Sequence, residues 1–163
     1  MFVLGIDPGL SRCGYGALRQ RGRETTAVAA GVIRTSPSTP LPIRLSELQI
    51  EIRSLVQELQ PDVVAIERVL FQVNVGTAMS VGQASGIVMA EAATLGCDVI
   101  EYSPNEVKSA VAGDGSADKR QMEEMVMMLL GLSKPLRPVD AADAVAVAMC
   151  HLAHSPTLVT SKR

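Results

Sequence analysis

The sequence predicts an α/β domain, a mixed sheet flanked by helices on both faces. Three observations predict it. Strand-like segments at residues 2–8, 13–19 and 26–34 are joined by short polar turns, the signature of an antiparallel meander. Further along, short apolar runs alternate with helical segments, and strand–helix–strand units lay their strands parallel. The 163 residues, 47% of them hydrophobic, suit one domain with one sizeable core. We assign residues 1–155 to that domain and 156–163 to a frayed tail.

The elements follow in order. Residues 2–8 (FVLGIDP) are short, apolar and closed by Pro8-Gly9, as in a buried strand. Residues 13–19 and 26–34 flank the turn Arg21-Gly22-Arg23-Glu24. Pro37 to Pro42 reads as a loop. Ile43 to Leu59 is helical: Leu45, Leu48, Ile52, Leu55, Val56 and Leu59 share one face, and Pro61-Asp62 ends it. Residues 63–67 (VVAIE) form a second buried strand. A helix over Thr77–Leu95 is apolar nearly all round, which predicts burial on several sides, in the core or against another subunit. Residues 97–102 are a strand, and Pro104–Ala112 is a short helix. Ser116 is the expected N-cap of a helix over 117–130, and a last helix runs from Asp140 to His151. Met122, Met125, Met127 and Met128 are expected to fill a packing surface.

Bulk properties narrow the function. Cys13, Cys97 and Cys150 form no CxxC pair and no disulfide framework, which fits a reduced cytoplasmic compartment. The start lacks the basic segment of a secretory signal. Val69 to Ala90 carries no charge and contains the GxxxG pair Gly82 and Gly86. It also holds Gln72, Asn74 and Gln83, which are costly in lipid, so no membrane partner is expected. Net charge is −2. If four of the 17 acids hold metal, 15 basic side chains face 13 acidic ones, enough for a modest basic face.

Two apolar strands end in a carboxylate: Val3-Leu4-Gly5-Ile6 in Asp7, and Val63-Val64-Ala65-Ile66 in Glu67. Such an acid is either an ordinary polar strand end or part of a site, since ligands bind beyond the carboxyl ends of strands in sheets of this class. Asp140 and Asp143 share a helix face at i, i+3. They suit helix capping and the helix dipole as well as ion binding. Four acids on three elements resemble a carboxylate cage for hard cations, two Mg²⁺ with Mn²⁺ as a substitute. Two such ions activate a water and stabilise the leaving oxygen of a phosphoryl displacement.

Taken in order, Ile6-Asp7-Pro8-Gly9, Gly14-Tyr15-Gly16, Ala65-Ile66-Glu67, Gly115-Ser116-Ala117-Asp118-Lys119 and Asp140-Ala141-Ala142-Asp143-Ala144 resemble the bacterial RuvC Holliday-junction resolvases. The resemblance spans almost the whole chain. It implies a ribonuclease-H-like fold, a five-stranded mixed sheet with its first three strands antiparallel. It also implies a homodimer that nicks four-way junction DNA symmetrically, for recombination and repair, beside the RuvA–RuvB branch-migration complex. Asp7, Glu67, Asp140 and Asp143 fall on the family's four catalytic acids, and Lys108 and Lys119 on basic positions linked to DNA binding and catalysis. Both lysines also read as solvated surface residues.

One departure concerns the position three residues after the catalytic glutamate, where the family places an aromatic. Leu70 stands there and Phe71 follows. Phe71 stacking on a base, Leu70 acting as an apolar wedge, and burial of Phe71 in the core are all open. Arg12 and Arg68, one step from the acidic segments, are candidate phosphate contacts. Glu101 is read as structural or as supporting the site from behind, and His151 and His154 as surface or helix-end residues. The rival functions are a module that binds branched DNA without cutting it and an RNA-processing nuclease of the same fold.

Overall fold

The computed structural model describes residues 1–68 and 75–155. Leu70, Phe71 and the tail 156–163 lie outside them. The elements run β1 (Phe2–Asp7), β2 (Arg12–Arg21), β3 (Glu24–Arg34), α1 (Leu41–Leu59), β4 (Val63–Glu67), α2 (Val75–Thr94), β5 (Asp98–Tyr102), α3 (Pro104–Ala112), α4 (Lys119–Leu130) and α5 (Val139–His154).

One sheet of five strands has the order β3-β2-β1-β4-β5. The meander β1-β2-β3 is antiparallel, while β4 pairs parallel with both β1 and β5. This is the mixed sheet that the sequence predicts, in the ribonuclease-H-like arrangement that the family resemblance implies. The central strands β1 and β4 are apolar up to their last residues, Asp7 and Glu67, because both faces are covered. Alternation divides them. Leu4, Ile6, Val64 and Ile66 face α1 and α2 with Leu48, Ile52 and Val88, whereas Val3 and Ala65 face α5 with Val145 and Val147.

Several boundaries move for local reasons. Helix α1 begins at Leu41 because Pro42 is tolerated in a first turn, where no intrahelical N–H bond is lost. Ser116 is not a cap. Its amide and hydroxyl both donate to Asp114 Oδ1 at 2.8 Å, and Asp118 caps α4 in a reciprocal box with Gln121.

Helix α2 is buried along one face only, through Ala78, Ala84, Val88 and Ala92. Val75 and Met79 are exposed on it, and Gly82 and Gly86 face open space. Among the described residues no helix is long and apolar enough to cross a membrane. Glu91 of α2 is buried, which its charge permits because Gln49 and Arg53 of α1 donate to it at 2.5, 2.8 and 3.0 Å. His151 lies at the end of α5 but is buried rather than on the surface. Its Nδ1 stands 2.9 Å from the Tyr102 hydroxyl, a buried hydrogen bond between polar tips; His154 is exposed.

Candidate active site

The acids are brought together by a close approach between α5 and the sheet. Gly5 on β1 and Gly14 and Gly16 on β2 form a bare strip under α5. A Cβ on Gly14 would stand 2.6 Å from the carbonyl carbon of Asp140, and one on Gly5 would stand 2.7 Å from the amide nitrogen of Ala148. Any side chain there would push the helix away. The helix answers with small buried residues, Ala141, Ala144 and Ala148.

Asp7 ends β1, opposite Gly14, in the strand phase that faces α5. Because Ile6 pairs with Ile66, the next residues, Asp7 and Glu67, leave adjacent strands at the same level. Glu67 pairs with Tyr102, which is in the α5-side core, so its side chain takes that same face. Asp7, Glu67 and Asp143 then line one cleft of about 390 Å³. Lys108 and Lys119 line it too, with Pro104, Val107, Ala117, Asp118, Met122 and Ala146.

Asp140 stands beside the cleft rather than in its lining. It does not cap α5, whose N-cap is Pro138 with no side-chain cap bond. Arg12 instead donates from Nε and Nη2 to its Oδ2, at 2.9 and 2.5 Å. Arg68, the residue after β4, is exposed and near enough to Glu106 to favour that acid's charged form. Glu101 is exposed, out of phase with Glu67 on the neighbouring strand.

Charge is concentrated in the cleft. Burial, then Glu67, Asp143 and Asp140, push Asp7 from 3.8 up to about 7, against the pull of Lys119. Burial and Asp143 raise Glu67, while Lys108 and Lys119 oppose the rise. Burial raises Asp143 as well, with Lys119 opposing. Asp140 goes the other way, held below its usual range by the hydrogen bond from Arg12. Repelling carboxylates around one open cleft, countered there by lysine charge, are what a hard cation relieves. The donor set therefore fits divalent ions. In the conformation seen, no group of three His, Cys, Asp or Glu among the described residues is arranged to hold one.

A family model for RuvC, crossover junction endodeoxyribonuclease, matches residues 3–151. The chain belongs to the RuvC family. The crossover junction endodeoxyribonuclease RuvC of Salinispora arenicola is 52% identical over 93% of this chain and 87% of its own length. That of Chloroflexus aggregans is 47% identical over 97% and 96%. Among solved structures, Thermus thermophilus RuvC in complex with Holliday junction substrate superposes with a TM-score of 0.88 at 35% identity, covering 93% of both chains. The yeast mitochondrial resolvase Ydc2, at 16% identity and a TM-score of 0.66, shares the fold.

Within this RuvC chain, sequence reasoning missed most of the cleft's apolar lining. Met122 and Met125 pack against the α5-side core as expected, but Met122 also lines the cleft, and Met128 is exposed rather than packed. Pro104, Val107 and Ala146 carry no chemical signal by which a sequence reading could have found them. Asp118 offered one, as the capping acid beside Lys119.

Proposed function

We propose that the cleft is the catalytic centre of a Mg²⁺-dependent endonuclease that resolves four-way DNA junctions by paired symmetric nicks. The observation that carries the proposal is the convergence of Asp7, Glu67 and Asp143 on one face, with Asp140 beside them, in a chain of the RuvC family.

Asp7, Glu67, Asp140 and Asp143 would hold two Mg²⁺ ions, with Mn²⁺ as a substitute. When bound, the ions supply an activated water and stabilise the departing 3′-oxygen. The chain's own groups bind and orient. Lys108 on α3 and Lys119 at the start of α4 bring positive charge into the cleft that the acids line, where a phosphate would be held by both. The apolar wall of Val107, Met122 and Ala146 limits water around that phosphate. The product is a nick with 5′-phosphate and 3′-hydroxyl ends. Two copies related by a twofold axis match the symmetry of the junction, and the uncovered face of α2 is the proposed dimer contact.

The test is Asp7→Asn. With Mg²⁺ and a synthetic four-way junction, the variant should cut at least 10²-fold more slowly than the parent on a denaturing gel, in line with losing one group of a metal-holding set. Cutting at the parental rate would remove Asp7 from the site. Unchanged junction binding with no cutting by the parent chain would favour a non-cleaving module instead.

A further inference from the structure

Asp140 is the one acid of the four that already has a partner charge. Arg12 reaches it from the start of β2, and both donors go to the same oxygen, Oδ2. The turn behind Arg12 is braced. Thr35 Oγ1 donates to the Leu10 carbonyl at 2.5 Å, and Arg44 of α1 donates to Thr35 Oγ1 at 3.0 Å and to Ser11 Oγ at 2.6 Å. The backbone beneath Arg12 is thus tied to β3 and α1. The Arg12 side chain is not tied in this way. It is 44% exposed, so it can leave Asp140 by changing rotamer while the turn stays in place.

We propose that Arg12 is a positioning residue that acts as an internal counter-ion to Asp140 and competes with the divalent ion for its carboxylate. This inference rests on the reading of the acids as metal ligands. While Arg12 holds Asp140, that carboxylate is outside the lining shared by Asp7, Glu67 and Asp143. An ion that takes Asp140 as a ligand must first displace the guanidinium, and its apparent affinity falls by the fraction of molecules in which Asp140 is free. Arginine suits the task better than lysine, because its fork makes two bonds to one carboxylate and cannot be neutralised by proton loss.

The experiment is Mn²⁺ binding to the metal-free full chain, without DNA, followed by electron paramagnetic resonance. The parent is compared with Arg12→Gln, Arg12→Met, Arg12→Lys and Asp7→Asn, each checked for folding by circular dichroism. Arg12→Gln and Arg12→Met should bind Mn²⁺ roughly two- to fivefold more tightly, the range a partly exposed ion pair supports. Arg12→Lys, which keeps the charge and loses the fork, should fall between them and the parent. If Asp7→Asn weakens binding while neither uncharged Arg12 variant tightens it, the counter-ion role is overturned and the metal reading survives. If Asp7→Asn binds Mn²⁺ as the parent does, the metal reading fails and this inference fails with it.

Discussion

Asp7 is placed at a cost to stability. Its folded-state pKa lies near 7, against an ordinary value of 3.8, so the fold binds its proton more tightly than the unfolded chain does. Between those two values the folded state holds a proton that the unfolded state has lost, so stability falls as pH rises through that window and levels off above it. The full difference corresponds to roughly 4 kcal/mol at 1.36 kcal/mol per pH unit, an upper bound because the carboxylates share their repulsion. Asp7→Asn has no charge to repel. In metal-free buffer at pH 8 it should be more stable than the parent by about 1–3 kcal/mol in urea denaturation, with the gain vanishing near pH 4. An equal or lower stability at pH 8 would mean that Asp7 is not strained. Gaining stability while losing cutting is the trade expected of a group kept for chemistry.

At the scale of elements, the decisive contact is α5 against the glycine strip. The helix can carry Asp140 over β2 and Asp143 toward β1 because nothing but backbone lies beneath it. Gly14→Ala should therefore cost about 1–3 kcal/mol or more in urea unfolding, the usual range for overpacking, because the methyl group meets backbone that cannot rotate aside. It should also lower cutting by more than the stability loss explains, since Asp140 moves with the helix. Gly82→Ala on α2, where a Cβ meets nothing within 4 Å in the single chain, is the comparison for folding of that chain, its effect on the proposed dimer contact being read separately by sedimentation. Its helical position should make it neutral or slightly stabilising.

For the molecule as a whole, sheet order decides which acids meet. β1 and β4 are far apart in sequence yet neighbours in the sheet, and α5, the last described element, closes over both. On the opposite face, α2 leaves Val75 and Met79 uncovered beside two bare glycines. Apolar residues grouped on one helix face suit the dimer contact proposed for α2. Sedimentation should show a species of twice the 17.2 kDa chain mass, and Met79→Glu should shift it toward the single chain without unfolding it. A parent chain that sediments as a monomer at micromolar concentration would remove α2 as a dimer contact.

The amino-acid sequence by itself determined the strand and helix order, the mixed sheet and the candidate acids. Strand and helix periods are local properties, and apolar strands that end in Asp7 and Glu67 announce themselves along the chain. Motif order also carried the family. Helix starts were less legible, because Ser116 and Asp118 both suit a cap and only the hydrogen bonds to Asp114 and Gln121 chose between them. Three things waited for the tertiary structure: the pairing of Arg12 with Asp140 across 128 residues, the burial of His151 on Tyr102, and the cleft wall of Val107, Met122 and Ala146. Each depends on which faces of distant elements meet, and no period or spacing within a single segment encodes that.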